Sequence, residues 1–199
     1  MRLKVDGARL EKALREMGEV GVTPSGGVNR LALSDADREA RGLLVSWFRE
    51  LNLEIKVDPI GNIFAIRWGH EDSEPVVMGS HIDTVRDAGI YDGALGVLGA
   101  LEVLRALDDA DVETVKPVAV AAFTNEEGAR FQPDMMGSMV FTGKLGVEEA
   151  YASRDDDGVT VGQELVRIGY RGEDSLTPSR YLELHVEQGP VLHSTGQKI

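Results

Sequence analysis

The segment Pro75-Val76-Val77-Met78-Gly79-Ser80-His81-Ile82-Asp83-Thr84-Val85-Arg86-Asp87-Ala88-Gly89-Ile90-Tyr91-Asp92-Gly93 joins an apolar run to a Gly-rich helix start. Pro75 to Met78, bounded by charge and by Gly79, reads as a buried strand. His81 is expected just past its end, and Asp83 and Asp92 precede Gly93. In an open α/β sheet, ligands collect beyond the carboxyl ends of strands, which is where this pattern puts an imidazole and two acids.

Working outward, Gly93 to Leu107 carries Leu95, Leu98, Leu101 and Leu104 at helical spacing, with Gly93, Gly96 and Gly99 allowing close packing. Pro117 to Phe123 reads as a second buried strand, followed by the loop Thr124-Asn125-Glu126-Glu127-Gly128. Tyr181 to Val186 alternates, with Tyr181, Glu183 and His185 on one face and Leu182, Leu184 and Val186 on the apolar one. Upstream, Ser34 caps a helix reaching Leu51, with Asp35 and Asp37 in its positive first turn. Leu53, Ile55 and Val57, the turn at Gly61-Asn62 and the run Ile63 to Trp68 form a hairpin. A polar, turn-rich region holds short helices near Gly137 to Phe141 and Thr160 to Ile168. The chain contains no internal repeat and no low-complexity tract. Strands alternating with helices predict an α/β fold: a layered α/β/α domain around a mixed, largely parallel sheet.

A length of 199 residues allows one substantial core. The formal charge of −13 repels phosphate backbones and anionic lipid, so neither nucleic acid nor a membrane is an expected partner. Only six of the basic residues are Lys, and acids crowd Asp108 to Asp111 and Asp155 to Asp157; a high-salt cytoplasm and an ordinary acidic enzyme both fit that surface. Cysteine is absent, so any metal must sit on imidazole and carboxylate. The first residues lack the apolar core of a signal peptide, and no segment nears eighteen consecutive apolar residues. The expectation is a cytoplasmic protein.

His81, the Glu126-Glu127 pair and His185 each end a predicted strand. Singly, a His after a strand or a Glu pair is ordinarily a solvated surface feature; three such features at strand ends argue for a shared rim. Two imidazoles with several carboxylates suit Zn²⁺, Mn²⁺, Co²⁺ or Ni²⁺. One carboxylate can bridge two ions about 3.5–4 Å apart, and Asp92 is the candidate. Asp83, two residues after His81, is placed to accept the far ring N–H of a ligating histidine. Of the adjacent glutamates, one can bind metal while the other stays free to move a proton, which describes amide hydrolysis. His70 and His193 read as surface residues. Gly93-Ala-Leu-Gly-Val-Leu-Gly lacks the Gly-Lys-Ser/Thr end of a phosphate loop, and no Gly-x-Ser-x-Gly elbow or Cys supplies a nucleophile.

The motifs Gly79-Ser-His-Ile-Asp-Thr-Val, Tyr91-Asp-Gly-Ala-Leu-Gly-Val, Phe123-Thr-Asn-Glu-Glu-Gly-Ala-Arg-Phe and Leu184-His-Val-Glu-Gln-Gly-Pro-Val-Leu closely resemble the M20 family of di-metal amidohydrolases and peptidases. The match is to its N-carbamoyl-L-amino acid hydrolase, allantoate amidohydrolase and β-ureidopropionase branch. Gly26-Gly-Val-Asn-Arg-Leu-Ala and Gly61-Asn-Ile-Phe extend it over nearly the whole chain. The resemblance implies two divalent ions: His81 and His185 on the first, Asp92 bridging, Glu127 on the second. It implies Glu126 as general base, Gln188 lining the substrate pocket, and a strained, cis peptide after Asp92. Relatives show an acid where this chain has His193. They are also about twice as long, adding a lid and dimerisation domain, with the Arg that grips the substrate carboxylate, and a return segment with the last metal-binding His. Residues 1–199 are therefore expected to be the N-terminal portion of the catalytic domain, poorly active alone, with a homodimer expected for a full-length form. Two rival readings stand beside hydrolysis of a small N-carbamoyl or ureido substrate: a non-catalytic metal-binding or assembly fragment, and an aminoacylase or peptidase of the same family.

Overall fold

Alternation along three strands sorts the core into two faces. The computed structural model of the chain describes residues 3–198. Its five-stranded sheet has the order β1-β2-β4-β3-β5, where β1 is Glu54–Val57, β2 Ile63–Arg67, β3 Val76–His81, β4 Val118–Phe123 and β5 Arg180–Leu182. Ile63, Ala65, Val120 and Ala122 face a helical layer, whereas Phe64, Ile66, Val77, Ala119, Ala121 and Phe123 face the other way. The helical layer holds α1 (Gly7–Glu19), α2 (Asp35–Glu50) and α3 (Ala94–Asp109). Within it Met17, Leu44, Phe48, Leu101 and Leu104 are buried, each such side chain worth about 1.5–3 kcal/mol.

The opposite layer is thin. Phe141 of α4 (Met136–Phe141) and Leu176 cover it, while α4, α5 (Val147–Ala152) and α6 (Val161–Ile168) gather a separate small core. The α6 start is the capping box that Thr160 and Gln163 make together. The short α7 (Val191–Thr195) follows β5.

The mixed α/β architecture is as expected, but the sheet is not largely parallel. β1–β2 and β2–β4 are antiparallel, and β3–β4 and β3–β5 are parallel. The hairpin β1–β2 returns through Gly61 at φ +82°, and this reversal puts the antiparallel pairs at one end. His81 is the last residue of β3 rather than beyond it, because its register partner is Phe123. The strand expected over Tyr181 to Val186 is confined to Arg180–Leu182. Among the described residues β5 pairs with β3 alone, and Leu182 and, beyond its end, Leu184 are about half exposed instead of buried.

A buried polar network fixes the rim of the sheet from beneath. The Arg41 guanidinium donates to Asp37, to the Gly61 carbonyl at 2.6 Å and to Thr124 Oγ1 at 3.1 Å. Asn62 donates to Asp58 Oδ2 and the Gly137 carbonyl and accepts from the Thr124 amide at 2.9 Å. Thus α2, the hairpin turn and α4 all hold the start of the loop carrying Glu126 and Glu127.

Candidate metal centre

Because β3 and β4 are parallel and end in register, the chain leaves both strands at one rim. The segment after β5, on the other side of β3, reaches the same rim. Residues far apart in sequence meet there. His81, Asp92 and His185 each offer a ligand atom within 4.8 Å of the others, and so do His81, Glu126 and Glu127. His81 is shared between the two groups.

Glycine makes this approach possible. Gly93, at φ +61°, opens α3, and a Cβ there would lie 2.4 Å from His81 Nε2. Any other residue would meet the imidazole itself. One turn on, a Cβ on Gly96 would lie 2.6 Å from the Leu184 carbonyl oxygen and 2.7 Å from Ser80 Cβ. The small residues of α3 therefore let β3 and the segment bearing His185 close against the helix.

Both imidazoles are oriented through Nδ1. The Asp83 carbonyl is 2.9 Å from His81 Nδ1, and the Val186 carbonyl is 2.9 Å from His185 Nδ1. A carbonyl only accepts, so each Nδ1 carries the proton and each Nε2 presents a lone pair. His81 Nε2 is 3.4 Å from Glu126 Oε2, and His185 Nε2 is 3.3 Å from Asp92 Oδ1. The rings lie 6.1 Å apart, nearly parallel.

Asp83 takes a different part from the expected one. Its carboxylate is 3.8 Å from His81 Nδ1, whereas its backbone carbonyl makes the hydrogen bond. The buried carboxylate instead accepts the Glu126 amide at 3.2 Å and the Glu127 amide at 3.3 Å. One residue thus orients the histidine with its main chain and holds the Glu126-Glu127 loop with its side chain. Burial pushes the Asp83 carboxyl up, and burial raises Glu127 as well, helped by Asp92 and opposed by His81. Burial works against the His81 imidazolium, but Asp83 and Glu126 outweigh it and raise the net value.

The acids also show what the cluster lacks. Asp92 Oδ1 and Glu127 Oε1 are buried without a hydrogen-bond partner, although such oxygens are normally satisfied. Asp92 Oδ1, 3.3 Å from His185 Nε2, and the Glu127 carboxylate within ligand distance of His81 form with the imidazoles a donor set that fits divalent cations taking nitrogen and oxygen. Glu126 and Glu127 both lie within ligand distance of His81, so proximity alone does not divide their roles. Gln188, at φ +51°, donates its side-chain amide to Asp92 Oδ2. His70 and His193 stand apart; His70 is exposed and pairs with Glu113 at 3.0 Å. The cis peptide implied after Asp92 is absent: among the described residues the cis bond is Gln132–Pro133.

Three supporting residues had no assigned part in the sequence reading. Arg30, buried, donates to the Ile82 carbonyl at 2.6 Å and to the carbonyls of Met17 and Val20 at the end of α1. Thr84 accepts from the Arg30 amide, completing the lock on the turn after His81. Asn125, at φ +52°, donates to the Phe131 and Pro133 carbonyls and shapes the glutamate loop. Arg30 lies in the Gly26-Gly-Val-Asn-Arg stretch, where an Arg among apolar neighbours was the available signal.

Comparison with known proteins places this geometry. The family described as peptidase family M28 matches residues 62–185, a span running from the hairpin turn to His185. The chain belongs to this family. Relatives of this M28 chain lie in the branch to which the four motifs pointed. It is 43% identical to an N-carbamoyl-L-amino-acid amidohydrolase of Rhizobium meliloti over 98% of its own length and 48% of that protein's. It is 33% identical to allantoate deiminase 1 of Glycine max, over 92% of this chain and 40% of that one. A crystal structure of a hydantoinase/carbamoylase family amidase from Burkholderia ambifaria superposes with a TM-score of 0.94 at 47% identity, covering 98% of this chain and 48% of that one. The chain spans about half the length of the curated relatives it matches. Among the described residues no helix is long and apolar enough to cross a membrane.

Proposed function

We propose that this chain carries the metal-holding and proton-transfer residues of an amidohydrolase acting on linear N-carbamoyl or ureido bonds. The observation that carries the reading is that His81 meets Asp92 and His185 on one side and Glu126 and Glu127 on the other, each group within ligand distance, while Asp92 and Glu127 each keep a buried oxygen without a partner. His81 and His185 would hold one divalent ion and Glu127 a second, with Asp92 between them; Zn²⁺, Mn²⁺, Co²⁺ and Ni²⁺ all suit these donors. Bound there, the ions supply Lewis-acid polarisation of a carbonyl and lower the pKa of water.

The remaining work falls to the protein. Glu126 has a side chain about one-third accessible and is placed to take a proton from the attacking water. Water oxygen bonds to the ureido carbon, the carbon–nitrogen bond breaks, and Glu126 returns its proton to the departing nitrogen. Asp83 holds the Glu126 amide so that the carboxylate stays at the rim. Gln188, already on Asp92, lines the approach for substrate. This reading extends to a cytoplasmic enzyme that dimerises in its full-length form.

The test is Glu126→Gln in the full-length protein, with metal uptake followed by calorimetry and hydrolysis by amino-acid release. Metal uptake should persist while kcat falls about 10²–10⁴-fold, the usual contribution of a general base. Activity retained in Glu126→Gln removes Glu126 from the reaction. Metal uptake without hydrolysis in any wild-type form marks a metal-binding module instead.

A further inference from the structure

Thr124 begins the loop that carries both glutamates, and its amide, hydroxyl oxygen and carbonyl are all engaged. The amide donates to Asn62 Oδ1 at 2.9 Å, the hydroxyl oxygen accepts from Arg41 at 3.1 Å, and the carbonyl accepts from the Gly137 amide at 2.8 Å. The grip continues along the loop: the Asn125 carbonyl accepts from the Met136 amide at 3.1 Å, and the Glu126 carbonyl from the Met135 amide at 2.7 Å. Three successive carbonyls thus meet three successive amides at the start of α4. Asn125 and Met135 take positive φ there, +52° and +49°, which residues other than glycine keep only where the surroundings over-determine it.

Asn62 secures this clamp from beneath. Fully buried, it uses both Nδ2 hydrogens, one on Asp58 Oδ2 at 2.7 Å and one on the Gly137 carbonyl at 3.0 Å. An ionised carboxylate only accepts, so Asp58 draws the Nδ2 end of the amide toward itself and leaves Oδ1 for Thr124. Leucine has the shape without the hydrogen bonds, and aspartate lacks the donors. Gly137 is fitted to the same residue, since a Cβ there would collide with Asn62 Oδ1 and lie 2.5 Å from the Thr124 nitrogen.

Resting on the function proposed above, we propose that Asn62 is a positioning residue: by locking the first turn of α4 to Thr124, it sets where Glu126 and Glu127 stand at the rim. The consequence is selective. Asp58, Thr124 and Gly137 lie on the hairpin, the glutamate loop and α4, whereas Asp92 and His185 come from just ahead of α3 and from the segment after β5. Loosening the clamp therefore displaces the base and the ligand assigned to the second ion, while the group of His81, Asp92 and His185 stays assembled. A misplacement of about 1 Å arising far from the chemistry can cost about 10²-fold in rate.

The experiment compares Asn62→Leu, which removes the hydrogen bonds, with Gly137→Ala, which wedges the clamp from the other side; each tests it alone if the other fails to fold. Leu104→Ala, a core truncation in α3, controls for lost stability. In the metal-free full-length protein, hydrogen exchange over residues 124–127, read by mass spectrometry, should quicken roughly tenfold or more relative to the β3 amides in both variants and keep its ratio in the control. Titrated with Zn²⁺ in a calorimeter, both variants should keep the tighter site and bind the second ion about 10–100-fold more weakly. Their kcat on an N-carbamoyl amino acid should fall about 10–100-fold with KM nearly constant, the mark of an interaction lost in the transition state. Unchanged loop exchange in both variants, equal weakening of both zinc sites, or a raised KM with kcat intact overturns the proposal. A wild-type protein that hydrolyses no such substrate removes the amidohydrolase reading instead, and the loop exchange then decides for or against Asn62 on its own.

Discussion

The two imidazoles of the candidate metal centre are held to different standards. His81 is buried at the end of a central strand, with Gly93 against its ring, Arg30 and Thr84 locking the turn after it, and Asp83 fixing its tautomer. His185 follows a strand of three residues that pairs on one side only among the described residues, and its side chain is 30% exposed. A central position with satisfied polar groups opens only in large unfolding events, whereas an edge segment with few buried apolar contacts opens locally. The chain thus supplies one half of the site preassembled and the other half adjustable.

The sharpest way to break this contrast is to delete each ring. His81→Ala and His185→Ala should both weaken zinc binding by more than the 10–100-fold lost with an outer-shell partner, read by calorimetry. Only His81→Ala should also lower thermal stability, by about 1–3 kcal/mol, because the buried Asp83 carbonyl loses its donor. Equal melting losses for both would abolish the distinction.

The preassembled half also carries a buried charge that titrates. Burial pushes the Asp58 carboxyl up to about 6, against the hydrogen bonds from Asn62. A carboxyl whose folded value is raised contributes its stability in full below the unfolded value near 4 and loses it as pH rises through about 6. The span corresponds to about 3 kcal/mol. Urea titrations from pH 4 to 7 should show this downward slope in the wild type and its loss in Asp58→Asn. A smaller effect is expected at Gly93→Ala, where positive φ and the His81 ring together should cost about 1–3 kcal/mol and displace the imidazole's ¹⁵N resonances. At the adjustable edge, Leu184→Ser, half exposed, should change stability by less than about 0.5 kcal/mol. A loss above 2 kcal/mol there would show that the edge is as firmly built as the centre.

Much of the centre was legible because it is written in local pattern. Val76 to His81 and Val118 to Phe123 are apolar runs ending in polar residues, and such runs report buried strands directly. The Ser34 cap and the Thr160 to Ile168 helix were marked by their side chains. The helix Gly7–Glu19 carried an equally local signal, Asp6 accepting from Ala8 and Arg9 ahead of Leu10, Ala13, Leu14 and Met17, and only its outward face of charges masked it. What local pattern cannot carry is partnership. Alternation over Tyr181 to Val186 describes a strand with two neighbours, but strand length depends on the ladder available, and β3 offers it three residues. Likewise, the spacing of His81 and Asp83 permits a side-chain contact and a main-chain contact equally, and the turn locked by Arg30 decides for the main chain.

The dual attachment of Asp83 has a dynamic corollary. Its main chain grips one ligand-bearing element while its carboxylate grips the amides of the next, so the two cannot breathe independently. A cation departing from this cluster would face a concerted opening instead of being peeled away donor by donor, and its dwell time would follow the rarest collective motion of the rim rather than the strength of any single bond.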